Sequence, residues 1–237
     1  MKELERAKEA AEAASASKSR LLAITGHDLK QPLQAIVMCL DFLGQRLSAR
    51  EDRRRVASAQ RSAQKLARAF DWLLEVARLE AGSLQPRIET VNLGRLLEEI
   101  VDEHRPYAEE KGVSLRLVTT RLRVRSDRNL LSHIIQNLVS NAIKYTERGC
   151  VLIGCRRRTG EVSIQVHDTG IGIAPDQLTT IFDEYRRLDP TGGDGAGLGL
   201  FIVKRMANLL GHHLVVRSRP NQGSVFAVEA RLLASER

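Results

Sequence analysis

Asp168-Thr169-Gly170-Ile171-Gly172-Ile173 follows directly on an apolar-rich run, residues 162–167, that reads as a β-strand. The two glycines allow tight backbone beside a flat ligand, and the Asp168 carboxylate can accept hydrogen bonds from an amino group. Upstream, residues 127–145 read as a helix with Asp127 as N-cap and a core stripe of Leu131, Ile135, Leu138 and Ala142. Asn137 and Asn141 stand one turn apart beside that stripe, followed by Lys144 and Tyr145. Asparagine is a poor helix former, so a pair at this spacing points to a task. Its amide oxygen is a hard ligand, suited to Mg²⁺ shared with phosphate oxygens. Downstream, Gly192-Gly193-Asp194-Gly195-Ala196-Gly197-Leu198-Gly199-Leu200 runs straight into a helix over residues 199–210. Bare backbone N–H groups and a helix N-terminus favour anions, which makes this loop a phosphate cradle. A glycine loop alone is a weak sign. Ordered as Asn-bearing helix, Asp-Gly turn, glycine loop and helix, the elements specify a nucleotide pocket. No G-x-x-x-x-G-K-[ST] run exists, which argues against a P-loop.

The segments around this pocket read as a helix over 92–111, a strand over 113–118, and strands over 151–157 and 162–167 about Thr159-Gly160. A last strand pair, 213–218 and 224–230, is joined by Pro220-Asn221-Gln222-Gly223. Helices beside antiparallel pairs predict an α+β two-layer sandwich, one helical layer over one mixed sheet. Before Gly82 the period is purely helical. Leu22, Leu29, Leu33, Ile36, Leu40, Leu43 and Leu47 form one stripe, and Val56, Ala59, Ala63, Leu66, Phe70, Leu73 and Ala77 another, with a turn over 48–52. Two single-striped helices bury poorly as a lone hairpin, so a dimeric four-helix bundle is expected. Residues 4–21 carry a weaker heptad seam of small residues. The expected organisation is a signalling-helix or coiled-coil linker over 1–20, a helical hairpin domain over 21–82, a linker over 83–90 and the sandwich domain over 91–237.

The first helix carries Gly26-His27-Asp28-Leu29-Lys30-Gln31-Pro32. His27 lies about 200° around the helix from Leu29 and so points away from the apolar seam. Gln31 sits one turn on and Asp28 shares its face, giving one exposed polar cluster. Pro32 removes a backbone hydrogen bond and should bend the helix there. A carboxylate beside an imidazole can accept one ring N–H and leave the other nitrogen to act as a nucleophile.

Lys+Arg number 37 against 29 Asp+Glu, a net charge of +8. The arginines are dispersed, and no helix-turn-helix, zinc-finger or aromatic stacking pattern accompanies them, so no nucleic-acid partner is expected. Three cysteines suit a reducing compartment, and the odd separation of Cys150 and Cys155 within one strand points them to opposite faces. No apolar stretch reaches membrane-span length, so a cytoplasmic chain is expected, or the cytosolic part of a membrane-bound sensor.

Taken together, these motifs resemble the core of bacterial two-component sensor histidine kinases. That core is a dimerisation and histidine-phosphotransfer (HisKA) domain followed by a Bergerat-fold (HATPase_c) ATPase domain of the GHKL type. Residues 19–33 resemble the H box, 137–146 the N box, 168–173 the G1 box, 182–187 the F box and 195–200 the G2 box. The resemblance implies that His27 is the phosphoacceptor, activated by Asp28. It implies that Asn137 and Asn141 hold Mg²⁺ and phosphates, with Lys144 near the phosphates and Tyr145 near the nucleoside. Asp168 would bind the adenine amino group, and Gly170 and Gly172 would shape the base pocket. Arg187, on a lid over 182–193, would meet the γ-phosphate, and Gly195, Gly197, Leu198 and Gly199 would line the phosphates of ATP. Partners so implied are a second copy through the hairpin, an upstream sensor domain and a response-regulator receiver domain, separate or fused. Residues 27–34, 149–158 and 209–212 look most like a subgroup that often carries such a fused receiver.

Departures from the family pattern are local. Asp28 replaces the usual Glu, Ala196 a frequent Thr or Ser, and Gln31 the Thr or Asn that positions a hydrolytic water in phosphatase-competent members. Two other classes compete: a signalling scaffold without kinase activity, and a GHKL ATPase of the chaperone or DNA-repair kind. The intact Asn141, Asp168 and G2 glycines oppose the first, and the histidine-bearing hairpin has no place in the second.

Overall fold

The structure, a computed structural model, describes residues 85–183 and 199–232, with 35–40, 42–44, 52, 56, 59 and 63 of the N-terminal part. The chain divides into two compact units, Met1–Gln85 and Pro86–Arg237. In the first unit the described residues before Gln85 are all helical. A Cβ built on Gly44 would lie 3.6 Å from Val56 Cγ1, so these two residues stand side by side. Ile36, Met38, Phe42 and Leu43 stay exposed within the single chain.

The second unit runs β1 (Glu89–Asn92), α1 (Leu93–Lys111), β2 (Val113–Leu117), β3 (Arg123–Ser126), α2 (Arg128–Tyr145), β4 (Gly149–Arg158), β5 (Glu161–Asp168), α3 (Gly199–Leu209), β6 (His213–Arg219) and β7 (Gly223–Arg231). Five strands form a mixed sheet in the order β2-β4-β5-β7-β6, with β2 and β4 parallel and the other pairs antiparallel. The expected α+β sandwich is present. Strand alternation explains its layering. Ile153, Val166 and Phe226 are register partners, as are Ile164 and Val228, and all five are buried. Their neighbours along the strands, Leu152, Gln165 and His167, occupy the other, half-buried face.

Local chemistry sets the helix ends. Asn92 caps α1 by accepting from Arg95 N at 3.2 Å, and Gly112, at φ +73°, closes it by donating to Ala108 and Glu109 carbonyls. Asp127 caps α2 through Oδ1, which accepts from Asn129 N and Leu130 N. The expected stripe of α2 is buried throughout. Each buried Leu or Ile contributes roughly 1.5–3 kcal/mol. An asparagine costs a helix only about 0.7 kcal/mol, so α2 forms despite Asn137 and Asn141.

One feature differs from the sequence reading. Glu89–Asn92 and Arg123–Ser126, neither expected as a strand, pair as a separate two-stranded antiparallel sheet. β1 begins inside the stretch expected to be linker. Each strand has four residues, too few to show a period, and each exists because of a partner more than thirty positions away.

Candidate functional site

Asp168 is the last residue of β5, and its Oδ1 accepts from Gly170 N at 2.9 Å and Ser224 N at 3.2 Å. Burial pushes its carboxyl above the usual carboxylate range, against the pull of these donors, the Ser224 hydroxyl and the nearby His167 charge. The turn that follows is stitched on both sides. Ile171 N donates to Tyr145 O at 3.3 Å, at the end of α2, and Ile171 O accepts from Asn221 N at 2.7 Å, in the β6–β7 turn. Ile173 N donates to Ser218 Oγ at 2.8 Å, and that hydroxyl donates onward to Gly223 O at 2.9 Å.

Both glycines of the turn are sterically required. A Cβ on Gly170 would stand 2.3 Å from the Tyr145 carbonyl oxygen. Gly172 sits at φ +68°, and its Cβ would stand 2.0 Å from the Arg219 carbonyl oxygen. Gly172→Ala therefore combines left-handed backbone strain with a clash against main chain, together roughly 3 kcal/mol. A melting temperature lower by on the order of 10 °C is expected. A thermal melt within about 2 °C of the parent would contradict this account of the turn.

On α2, Asn141 Nδ2 donates to Asn137 Oδ1 at 3.1 Å. Asn137 is only 4 % exposed, while Asn141 is half-buried. The first residue of α3 meets the Asn137 amide directly: a Cβ on Gly199 would lie 2.9 Å from Asn137 Oδ1. The end of the glycine loop thus rests on the asparagine face of α2. The Lys144 ammonium stands 5.1 Å over the Tyr145 ring, and the Thr146 hydroxyl, buried, donates to Ala142 O at 2.7 Å. Lys204 of α3 stands 5.7 Å over the ring of Phe182, where the expected lid begins.

Within one unit, then, Asn137, Asn141, Lys144, Tyr145, Asp168, Gly170, Gly172 and Gly199 gather where α2, α3 and the β5 turn meet. His27, Asp28, Gln31, Arg187, Gly195, Gly197 and Leu198 lie outside the described residues. Sequence reading missed Ser224 and Ser218, which hold Asp168 and the turn. Gly223-Ser224 after a turn was the visible signal, but the partner Asp168 is 56 positions away. The other buried polar groups serve the fold. His212 Nε2 and Ser126 Oγ are 2.9 Å apart, and burial lowers that imidazole's pKa. Burial also pushes the Cys155 thiol up to about 12, which leaves it protonated and unreactive.

Among the described residues no helix is long and apolar enough to cross a membrane. Residues 17–82 match the family described as His Kinase A (phospho-acceptor) domain. Residues 126–234 match the histidine kinase-, DNA gyrase B- and HSP90-like ATPases. The chain is 33 % identical over 224 residues to the sensor histidine kinase AtsR of Burkholderia thailandensis, covering 90 % of this chain and 37 % of AtsR. It is 31 % identical to the virulence sensor protein BvgS of Bordetella bronchiseptica, covering 100 % of this chain and 20 % of BvgS. Against the sensor-like histidine kinase SenX3 of Mycobacterium tuberculosis the identity is 32 %, over 90 % of this chain and 53 % of SenX3. The chain therefore spans between a fifth and about half the length of these relatives. Among solved structures, full-length ShkA in complex with AMPPNP superposes with a TM-score of 0.74 at 30 % identity, over 91 % of this chain and 46 % of ShkA. With a phospho-acceptor domain followed by a gyrase B- and HSP90-like ATPase domain, the chain belongs to the histidine kinases of two-component signalling.

Proposed function

We propose that this chain is an ATP-dependent protein histidine kinase core that phosphorylates itself on His27 and passes the phosphoryl group to an aspartate of a response-regulator receiver domain. The observation that carries this reading is the Asp168 carboxylate, aimed by two backbone N–H groups on a turn that also touches the end of α2. Adenine presents an amino donor on its edge, which a fixed carboxylate can accept from. The AMPPNP bound by ShkA, an ATP analogue, supports the same ligand class here.

The phosphates then fall between Asn141 and the start of α3, where Gly195, Gly197, Leu198 and Gly199 bring backbone N–H groups. Mg²⁺, when bound, neutralises charge on the phosphate oxygens. Its protein contact fits the amide pair, with Asn141 at the accessible edge and buried Asn137 orienting it. Lys144 adds positive charge, Tyr145 borders the nucleoside, and Arg187 meets the γ-phosphate from the lid. A solvated imidazole of pKa about 6.5 is largely neutral near pH 7. Its free nitrogen attacks the γ-phosphorus, the bond to the bridging oxygen breaks, and ADP leaves. Asp28 orients the ring and stabilises the charge that develops on it. Gln31 borders the same nitrogen with an amide that can hold water.

A second copy is the proposed partner of the hairpin, which matches the exposed Ile36, Met38, Phe42 and Leu43. An upstream sensor domain and a cytoplasmic setting complete the reading. The test is incubation with γ-³²P-ATP and Mg²⁺. The expected label is acid-labile and stable to alkali, as a phosphoramidate on the imidazole. An acid-stable label, or none, would sink the proposal.

A further inference from the structure

Lys111 is the last residue of α1, yet its side chain serves α2. Its Nζ donates to Ile143 O at 2.7 Å and also to Lys144 O. These two carbonyls lie in the final turn of α2, where the chain leaves helical geometry at Thr146 (φ −100°, ψ 111°). Inside a helix they would accept from residues four further on, which here are no longer helical, so they are the orphan acceptors that every helix end must satisfy. A cation is the favoured partner, because the helix dipole places partial negative charge there. The third carbonyl in sequence, Tyr145 O, accepts from Ile171 N at 3.3 Å and sets the position of Gly170. Three successive carbonyls are thus shared between one lysine and the Asp168–Gly172 turn. The ammonium is partly desolvated and also faces the charges of Glu147 and Lys144.

We propose that Lys111 is a positioning residue for the nucleotide. It pins the last turn of α2 so that the Tyr145 carbonyl, and through it the turn carrying Asp168, keeps the geometry that receives the base. The inference rests on the nucleotide-binding reading above. It adds a residue from α1, far in sequence from every motif. Because Lys111 acts at the base end, its loss must weaken ATP and ADP by the same factor.

The test uses the full chain, with dissociation constants for ATP and ADP from isothermal titration calorimetry. Lys111→Met is expected to raise both constants about tenfold and equally, since it removes the cation and leaves both carbonyls without a donor. Lys111→Arg, whose forked donors can serve two carbonyls, is expected to stay within about threefold of the parent. Met constants within about twofold of the parent, even with a lowered melting temperature, would show a purely structural role and overturn the proposal. So would a loss confined to ATP, or an Arg variant as weak as Met. If Lys111→Met does not fold, Lys111→Gln takes its place, and equal affinities for Gln and Arg overturn the proposal. A parent chain that binds neither nucleotide would instead refute the proposed function, a different and separable result.

Discussion

Replacing His27 with alanine is expected to reduce phosphoryl incorporation from γ-³²P-ATP to background while leaving nucleotide affinity within about twofold of the parent. The physical reason is that the proposed phosphoacceptor and the proposed nucleotide site belong to different parts of the chain. His27 precedes Gln85, where the first compact unit ends, whereas Asp168, Asn141 and Gly199 all belong to the second unit. Removing the imidazole deletes the nucleophile and touches none of the contacts around Asp168. The measurement is paired: label incorporation on one side, ADP titration on the other. Label retained in the variant would assign the phosphate to another side chain. Label lost together with ADP binding would mean that the variant had damaged the fold. An Asp28→Asn variant belongs in the same series. It should label more slowly without losing label, because the carboxylate orients the ring and does not receive the phosphoryl group.

The second large effect concerns Asp168. In Asp168→Asn the side-chain oxygen can still accept from Gly170 N and Ser224 N, so the turn keeps its two anchoring bonds. The amide nitrogen must then occupy the other position, where it presents a donor to the donor of the base. Losing a charge-assisted hydrogen bond and leaving a polar group facing its like costs about 3 kcal/mol. That is roughly a hundredfold in the dissociation constant of ADP. A variant that binds within about fivefold of the parent would remove Asp168 from the base pocket.

The same carboxylate predicts a pH dependence whose sign follows from its environment. Burial raises its pKa, so the proton competes with the ligand at a pH above the ordinary carboxylate value of about 3.9. Affinity is expected to be flat at neutral pH and to fall as the pH drops through that raised value, because protonation removes the charge that strengthens the bond from the amino group and adds an O–H donor. Asp168→Asn, with no proton to gain, should lack this limb. A parent and variant with parallel acid limbs would show that another group titrates.

The parts legible in the sequence share one property: each is decided within a few residues. Asp127 caps α2 by bonding to amides two and three positions on. The stripe Leu131, Ile135, Leu138 and Ala142 announces the buried face of α2 at helical spacing. Gly172 declares a left-handed turn because only a residue without Cβ fits there cheaply. Local rules of this kind sufficed for the two-layer sandwich, the long helices and strands, and the motifs that make the site.

What the tertiary structure alone decided is what those motifs touch. Glu89–Asn92 and Arg123–Ser126 become strands only by finding each other across an intervening helix and strand. Ser224 reaches Asp168 across 56 positions, and Lys111 reaches the end of α2 across 32. Gly199 meets Asn137 only because α3 packs on α2. None of these partners carries a local signature, since a serine after a turn or a lysine at a helix end is common in any sequence. The chain's own residues thus determined which elements form and which chemistry they carry. Packing determined which side chains hold Asp168 and its turn in place, because long-range contacts exist only once the helices and the sheet have closed on one another.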